Sequence, residues 1–324
     1  MRRVFTRLLY VARPAKVNLE ALRQADTQGR LQGYAWGDAW GDAWQAWHKL
    51  LQLDGLFLDF MRRTTISPQT WLFPLVVLAV AALGGLLRQR PPDAVLLLVM
   101  ASLSVLLLWV LARGLDENKA LVFFAVALAI AFAFEAFAVN RTRLLTHQTH
   151  PQVLGVPIAI LLGWFIALAA SYAFTAALWG RRYIAATAAI TAAVATLLDF
   201  TFDPMGLATG WWVWNRAGGY ATSLRGANGV AGIPWSNFVG WFVLAMLVVA
   251  CFELLTRKGA RDRQIFARDT FDASLCALLY FALCMPGLFW LLRTRHWTLF
   301  LVPALPLVVL ALLAQAKLRR PRRW

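Results

Sequence analysis

Apolar residues along this chain fall into long blocks; they neither alternate nor recur only on one helical face. The blocks lie at roughly 70–87, 94–112, 120–139, 153–178, 183–199, 237–254, 270–292 and 298–316. Each is near the length of about 20 residues that carries a helix across a hydrocarbon core. The pattern predicts an all-α fold: a polytopic integral membrane helical bundle of about eight transmembrane helices. The fifth block, IAATAAITAAVATLLDF, is built from small residues and is expected to pack closely against its neighbours.

Residues 1–66 follow another rule, so the chain divides into an interfacial segment, 1–66, and a transmembrane domain, 67–324. Within the first part stands YAWGDAWGDAWQAW, residues 34–47. At about 100° per residue, Trp36, Trp40, Trp44 and Trp47 share one helical face, while Asp38, Asp42, Gln45 and Lys49 take the other. This is the pattern of an amphipathic helix lying on the cytoplasmic leaflet, its indoles at headgroup depth. The basic N-terminus MRRVFTRLLYVARPAK has its apolar run broken by Arg7 and Arg13, so no cleaved signal peptide is expected.

Composition agrees with the blocks: 60% of the 324 residues are hydrophobic and 15% charged, against about a quarter charged in soluble domains. The net charge of +16 would suit a nucleic-acid binder, but its distribution does not. Of 32 Lys and Arg residues, 24 fall before the first block or after the second, fourth, sixth and eighth, and 8 fall in the remaining loops. That is a positive-inside asymmetry, which predicts a protein of the cytoplasmic membrane with both termini cytoplasmic. Cys251, Cys276 and Cys284 all lie within blocks, without a CxxC pair, and are read as small apolar residues.

Carboxylates at membrane depth are costly and therefore mark candidate sites. Glu135 lies late in the third block, Asp199 ends the fifth, and Asp203 follows in LLDFTFDP. Alternation brings the ends of the third and fifth blocks to the same membrane face, opposite the cytoplasm. The bland alternative is that these acids pair with Arg141, Arg143 or Arg216. Glu253, Asp269 and Asp272 are read as interfacial.

Beside the three acids runs a long aromatic loop, 200–236, rich in glycine. Trp211, Trp212, Trp214, Tyr220 and Trp235 stand in it, with Trp241 just beyond, and Asn228 and Asn237 mark the start of the sixth block. Interfacial anchoring accounts for some of these rings; the polar residues suggest substrate binding under a loop folded back over the bundle. His147 and His150 form HxxH on the same face, a weak metal signal without a fixed third ligand, and no metal site is assigned. Asp199 and Asp203 as DxxxD also suit Mg²⁺-dependent prenyl transfer or cyclisation, which uses carboxylates to hold the metal on a diphosphate. A non-catalytic lipid-binding membrane protein is the third reading.

The ordered set is similar to a carotenoid biosynthesis family that includes the carotenoid 1,2-hydratases and bisanhydrobacterioruberin hydratase-like membrane proteins. The elements are Glu135, then Gly155-Val156-Pro157, then Asp199, Asp203 and Pro204. Trp212 and Trp214, Gly219 and Tyr220, and Pro234, Asn237, Gly240 and Trp241 complete it. The resemblance covers about 120–245. In place of the family's Thr-Gly and Pro-Phe-Gly element with tyrosines, this chain has NRTRLLTHQTHPQ. The resemblance implies a carotenoid end-group hydratase that protonates C2, forms a tertiary cation at C1 and captures water. Asp199 or Asp203 would be the acid and Glu135 its partner or base. Trp211, Trp212, Trp214, Tyr220, Asn228, Trp235, Asn237 and Trp241 would surround substrate, and no cofactor or metal would be needed. The partners implied are a carotenoid, membrane lipids and other enzymes of the same pathway, not nucleic acid.

Overall fold

The computed structural model describes residues 92–257 and 270–319. The first expected span and the tryptophan-rich segment, 1–66, lie outside these residues. Seven helices long and apolar enough to cross a membrane are described: α1 (Asp93–Gly114), α2 (Glu117–Asn140), α3 (Ile158–Trp179), α4 (Ile184–Thr209), α5 (Trp235–Thr256), α6 (Thr270–Arg293) and α7 (Trp297–Arg319). They correspond in order to the second through eighth apolar blocks.

The centre of the bundle is α3, buried along most of its length and packed against α1, α2, α4 and α6. Its sequence, IAILLGWFIALAASYAFTAALW, alternates rings with Gly, Ala and Ser, so neighbouring backbones approach closely without losing aromatic filling. The small-residue helix α4 makes the most extensive interface of the bundle, with α5. At its crossing with α6, a Cβ on Gly287 would stand 2.0 Å from the Thr201 carbonyl oxygen. Only hydrogen fits there.

Two helix boundaries differ from the sequence expectation. The fourth span begins at Ile158, and Gln152–Val153 (β2) and Val156–Pro157 (β3) instead form a short antiparallel pair. The fifth continues past Asp199 to Thr209, with Pro204 inside it. Proline lacks the N–H that would bond to the carbonyl four residues back, here that of Phe200. The Tyr220 hydroxyl donates to this freed oxygen at 3.5 Å, and the helix carries on. Ten residues expected in the long loop, 200–209, are therefore helical, and both aspartates sit within a helix. Gly210, at φ 74°, ends it in the left-handed conformation that glycine adopts without strain.

The remaining loop residues are ordered by strands that the all-helical reading did not include. Leu145–His147 (β1) pairs with Trp212–Trp214 (β4), with His147 opposite Trp212, so the α2–α3 and α4–α5 connections form one cap. Tyr220–Arg225 (β5) pairs with Ala231–Ile233 (β6). The Asp93 carboxylate accepts from the His150 backbone N–H at 2.9 Å and ties the start of α1 to the same cap.

Candidate functional site

Beneath the cap lies a cavity of about 590 Å³. Its floor is one face of α3, from Ala159 to Ala167, and its walls are α1, from Val95 to Leu106, and α6, from Leu275 to Pro286. Those two helices meet at the Arg113–Asp272 ion pair, and the cavity between them is a slot lying along α3. At 1.5 Å per residue the wall from Val95 to Leu106 is about 16 Å long. Its lining is overwhelmingly apolar, except at the cap end. There Glu135, Asp199, Asp203, His147 and Asn237 converge with Trp164, Trp211, Trp212, Trp214 and Trp241.

Two unlike carboxyl centres face this space. In the first, Glu135 Oε1 accepts from Trp164 Nε1 at 2.7 Å, and Oε2 lies 3.1 Å from His147 Nε2. The Trp164 ring stacks on Trp241 with centroids 3.7 Å apart, which fixes the direction of its N–H. In the second, Asp199 and Asp203 are four residues apart and so share a face of α4. Asn237 Nδ2 donates to one oxygen of each, at 2.8 and 2.5 Å. Both aspartates are almost wholly buried, at 1% and 3% exposure. None of the three acids pairs with Arg141, Arg143 or Arg216 among the described residues.

The cap supplies the rest of the wall. Trp212 packs closely on α4 because residue 206 is glycine: a Cβ there would come 2.2 Å from the ring. Trp211 and Trp214 are buried, and their indole N–H groups have no acceptor among the described residues. Gln152 Nε2 donates to the carbonyls of His147 and Thr149, which holds the segment carrying His147.

Of the eleven residues expected at the site, eight line the cavity: Glu135, Asp199, Asp203, Trp211, Trp212, Trp214, Asn237 and Trp241. The other three stand outside the lining. Tyr220 packs edge-on to Phe200 and Phe238, behind the aspartates. Burial pushes its hydroxyl above the usual phenol range, and the neighbouring Asp199 and Asp203 push it further, so it remains a protonated donor. Asn228 donates to the Trp214 carbonyl at 2.8 Å and accepts from the Val230 N–H; it braces the turn between β5 and β6. Trp235 is 55% exposed.

Sequence reasoning missed Trp164. It sits in mid-span, where an indole N–H must find an acceptor inside the protein, and that requirement was the available signal. His147, weighed as half of an HxxH pair, is buried against Glu135 while His150 is exposed, so the two do not act together. Glu253, expected at the interface, is fully buried. Its carboxylate accepts from Arg181 at 2.9 and 3.1 Å, from Tyr172 at 2.7 Å and from Arg257 at 3.1 Å. It serves the opposite end of the bundle, where the two Arg side chains supply its countercharge.

Comparison with known proteins bears on this arrangement. The family model described as carotenoid biosynthesis protein matches residues 93–313. A curated relative, the bisanhydrobacterioruberin hydratase of Haloarcula japonica, is 28% identical over 117 residues. The match covers 35% of this chain and 36% of the relative, so the chain spans about a third of that protein's length. No solved structure matches.

Proposed function

The chain belongs to the carotenoid biosynthesis protein family, and from that premise we propose that it is a carotenoid end-group hydratase, adding water across the C1,2 double bond of an acyclic carotenoid. The observation that carries this reading is the pair of unlike carboxyl centres at the polar end of one apolar slot. A polyene is too apolar to leave the bilayer, and hydrating it needs an acid and a base on the same double bond.

The two centres divide that work by their hydrogen-bond donors. Glu135 is held by the fixed Trp164 N–H on Oε1, and its oxygens keep lone pairs free to accept a proton. Asp199 and Asp203 share the Asn237 amide, and two like charges so close in a dry site favour one retained proton between them. The aspartate pair therefore gives its proton to C2, the alkene π pair forming the new C–H bond. The cation left at C1 faces the indole rings, each worth about 0.5–2 kcal/mol to a desolvated cation. Water bonds to C1 through oxygen and loses a proton to Glu135. Return of that proton to the aspartate pair resets the site. Water is the sole co-reactant, and no electrons are gained or lost.

Expression in a host that accumulates an acyclic carotenoid tests the reading. The expected pigment is heavier by one or two waters, and its formation survives a chelator. Unchanged pigment overturns the proposal, and loss of activity on chelation favours Mg²⁺-dependent chemistry instead.

The slot offers a test that spares the acids. Gly163 borders the cavity, and a Cβ on it would meet no atom within 4 Å. A larger side chain would therefore grow into the space assigned to substrate without displacing protein. Gly163→Leu is expected to express and fold normally, since leaving glycine gains helix propensity, yet to lose most hydration. Gly163→Ala should stay near wild type. Equal pigment conversion by Gly163→Leu would place the substrate elsewhere.

A further inference from the structure

His147 has no role in the chemistry above, yet its surroundings specify one. Its ring is buried, with Nε2 on Glu135 and Nδ1 without a hydrogen-bond partner among the described residues. A proton on Nδ1 would be a buried donor with no acceptor, which costs far more than a bare ring lone pair in the same place. Nε2 is therefore the nitrogen placed to donate, and it donates to Glu135 Oε2. Its position is set from three sides. The ladder puts His147 opposite Trp212, Gln152 clamps its carbonyl, and the following segment is tied to Asp93 on α1. The titratable groups facing this end of the cavity are Glu135 itself and, across the cap, Asp199 and Asp203.

We propose that His147 is the positioning residue for the base: its Nε2–H and the Trp164 N–H hold Glu135 from both sides as a fixed acceptor for the proton of the attacking water. This rests on the hydratase reading. In this role His147 donates a hydrogen bond and carries no proton through the cycle. The role belongs to the segment NRTRLLTHQTHPQ, where the chain departs from the pattern it otherwise resembles.

The test uses the full chain in membranes with an acyclic carotenoid. His147→Phe keeps a ring of similar size without the donor, and His147→Asn, too short to reach Glu135, stands in if the Phe variant folds poorly. Either should lower kcat by about 10- to 100-fold, the range for a hydrogen bond to a charged group, with KM little changed. His147→Gln, whose amide nitrogen falls near Nε2, should return to within about threefold of wild type with an unaltered pH profile. Wild-type kcat in His147→Phe would overturn the proposal. So would a His147→Gln as slow as the Phe variant, which would mean that the imidazole itself carries a proton. A second readout needs no turnover. The infrared carboxylate band of Glu135, identified by its loss in Glu135→Gln, should shift in His147→Phe and not in His147→Gln. An unmoved band overturns the dyad. Inactive wild-type protein with a shifting band instead overturns the hydratase reading and leaves the dyad standing.

Discussion

Asp203→Asn is expected to abolish hydration while leaving the protein in the membrane at wild-type levels. The substitution keeps shape and volume but replaces a group that can give a proton with one that cannot, and general acid catalysis contributes about 10²–10⁴-fold. Asp199→Asn should be impaired on the same scale, because one Asn237 amide serves both carboxyls at 2.8 and 2.5 Å. Groups that act as a unit are strongly non-additive, so the double variant should be scarcely slower than the worse single one. Glu135→Gln removes the proton acceptor and belongs with them. Pigment chromatography with mass spectrometry reads all four variants. Full conversion by both Asp203→Asn and Glu135→Gln would end the assignment of this site.

The second large effect lies at the other end of the bundle and concerns stability. Glu253→Gln should remove the buried carboxylate that Arg181, at 4% exposure, and Arg257 both bond. Removing one partner of a buried ion pair costs about 3–5 kcal/mol, whereas replacing the pair by apolar residues is often neutral. The single variant should therefore show a sharply lowered Tm in detergent. Arg181→Met combined with Glu253→Met should recover part of that loss, although Arg257 stays behind. A Glu253→Gln protein melting with wild type would mean that the cluster contributes no stability. Binding geometry at the cap should be unchanged in every folded variant, since Glu253 stands outside the cavity lining.

Much of this architecture was legible in the residues because lipid leaves few options. A helix that satisfies its own backbone over about 20 apolar residues is the default solution, and seven such helices stand in the expected order. The meeting of Glu135 with Asp199 and Asp203 was legible too, because alternating spans bring the ends of α2 and α4 to one side. What the pattern concealed depends on tertiary partners. The fifth span was expected to end at Asp199, but the Tyr220 hydroxyl donates to the Phe200 carbonyl that Pro204 leaves free, and the helix runs on. The strands β1 and β4 are three residues each, too short for any period, and they exist because two loops are held side by side. Tyr220, Asn228 and Trp235 stand outside the cavity lining, because contacts within the cap hold them there. Glu253 looked like a surface acid because nothing local shows that Arg181, 72 residues away, folds onto it.

The cap gives the protein a sidedness of its own. Both carboxyl centres stand at the end of the slot closed by β1 and β4, and the far end of the same walls leads toward the Arg113–Asp272 ion pair. A long polyene seated there would be oriented like a vector across the bilayer, its reacting tip at one leaflet and its other tip toward the opposite one. On the proposed function, a hydroxyl would form at the capped end of the slot, so the product would leave with its polar tip already on the cap side of the bundle.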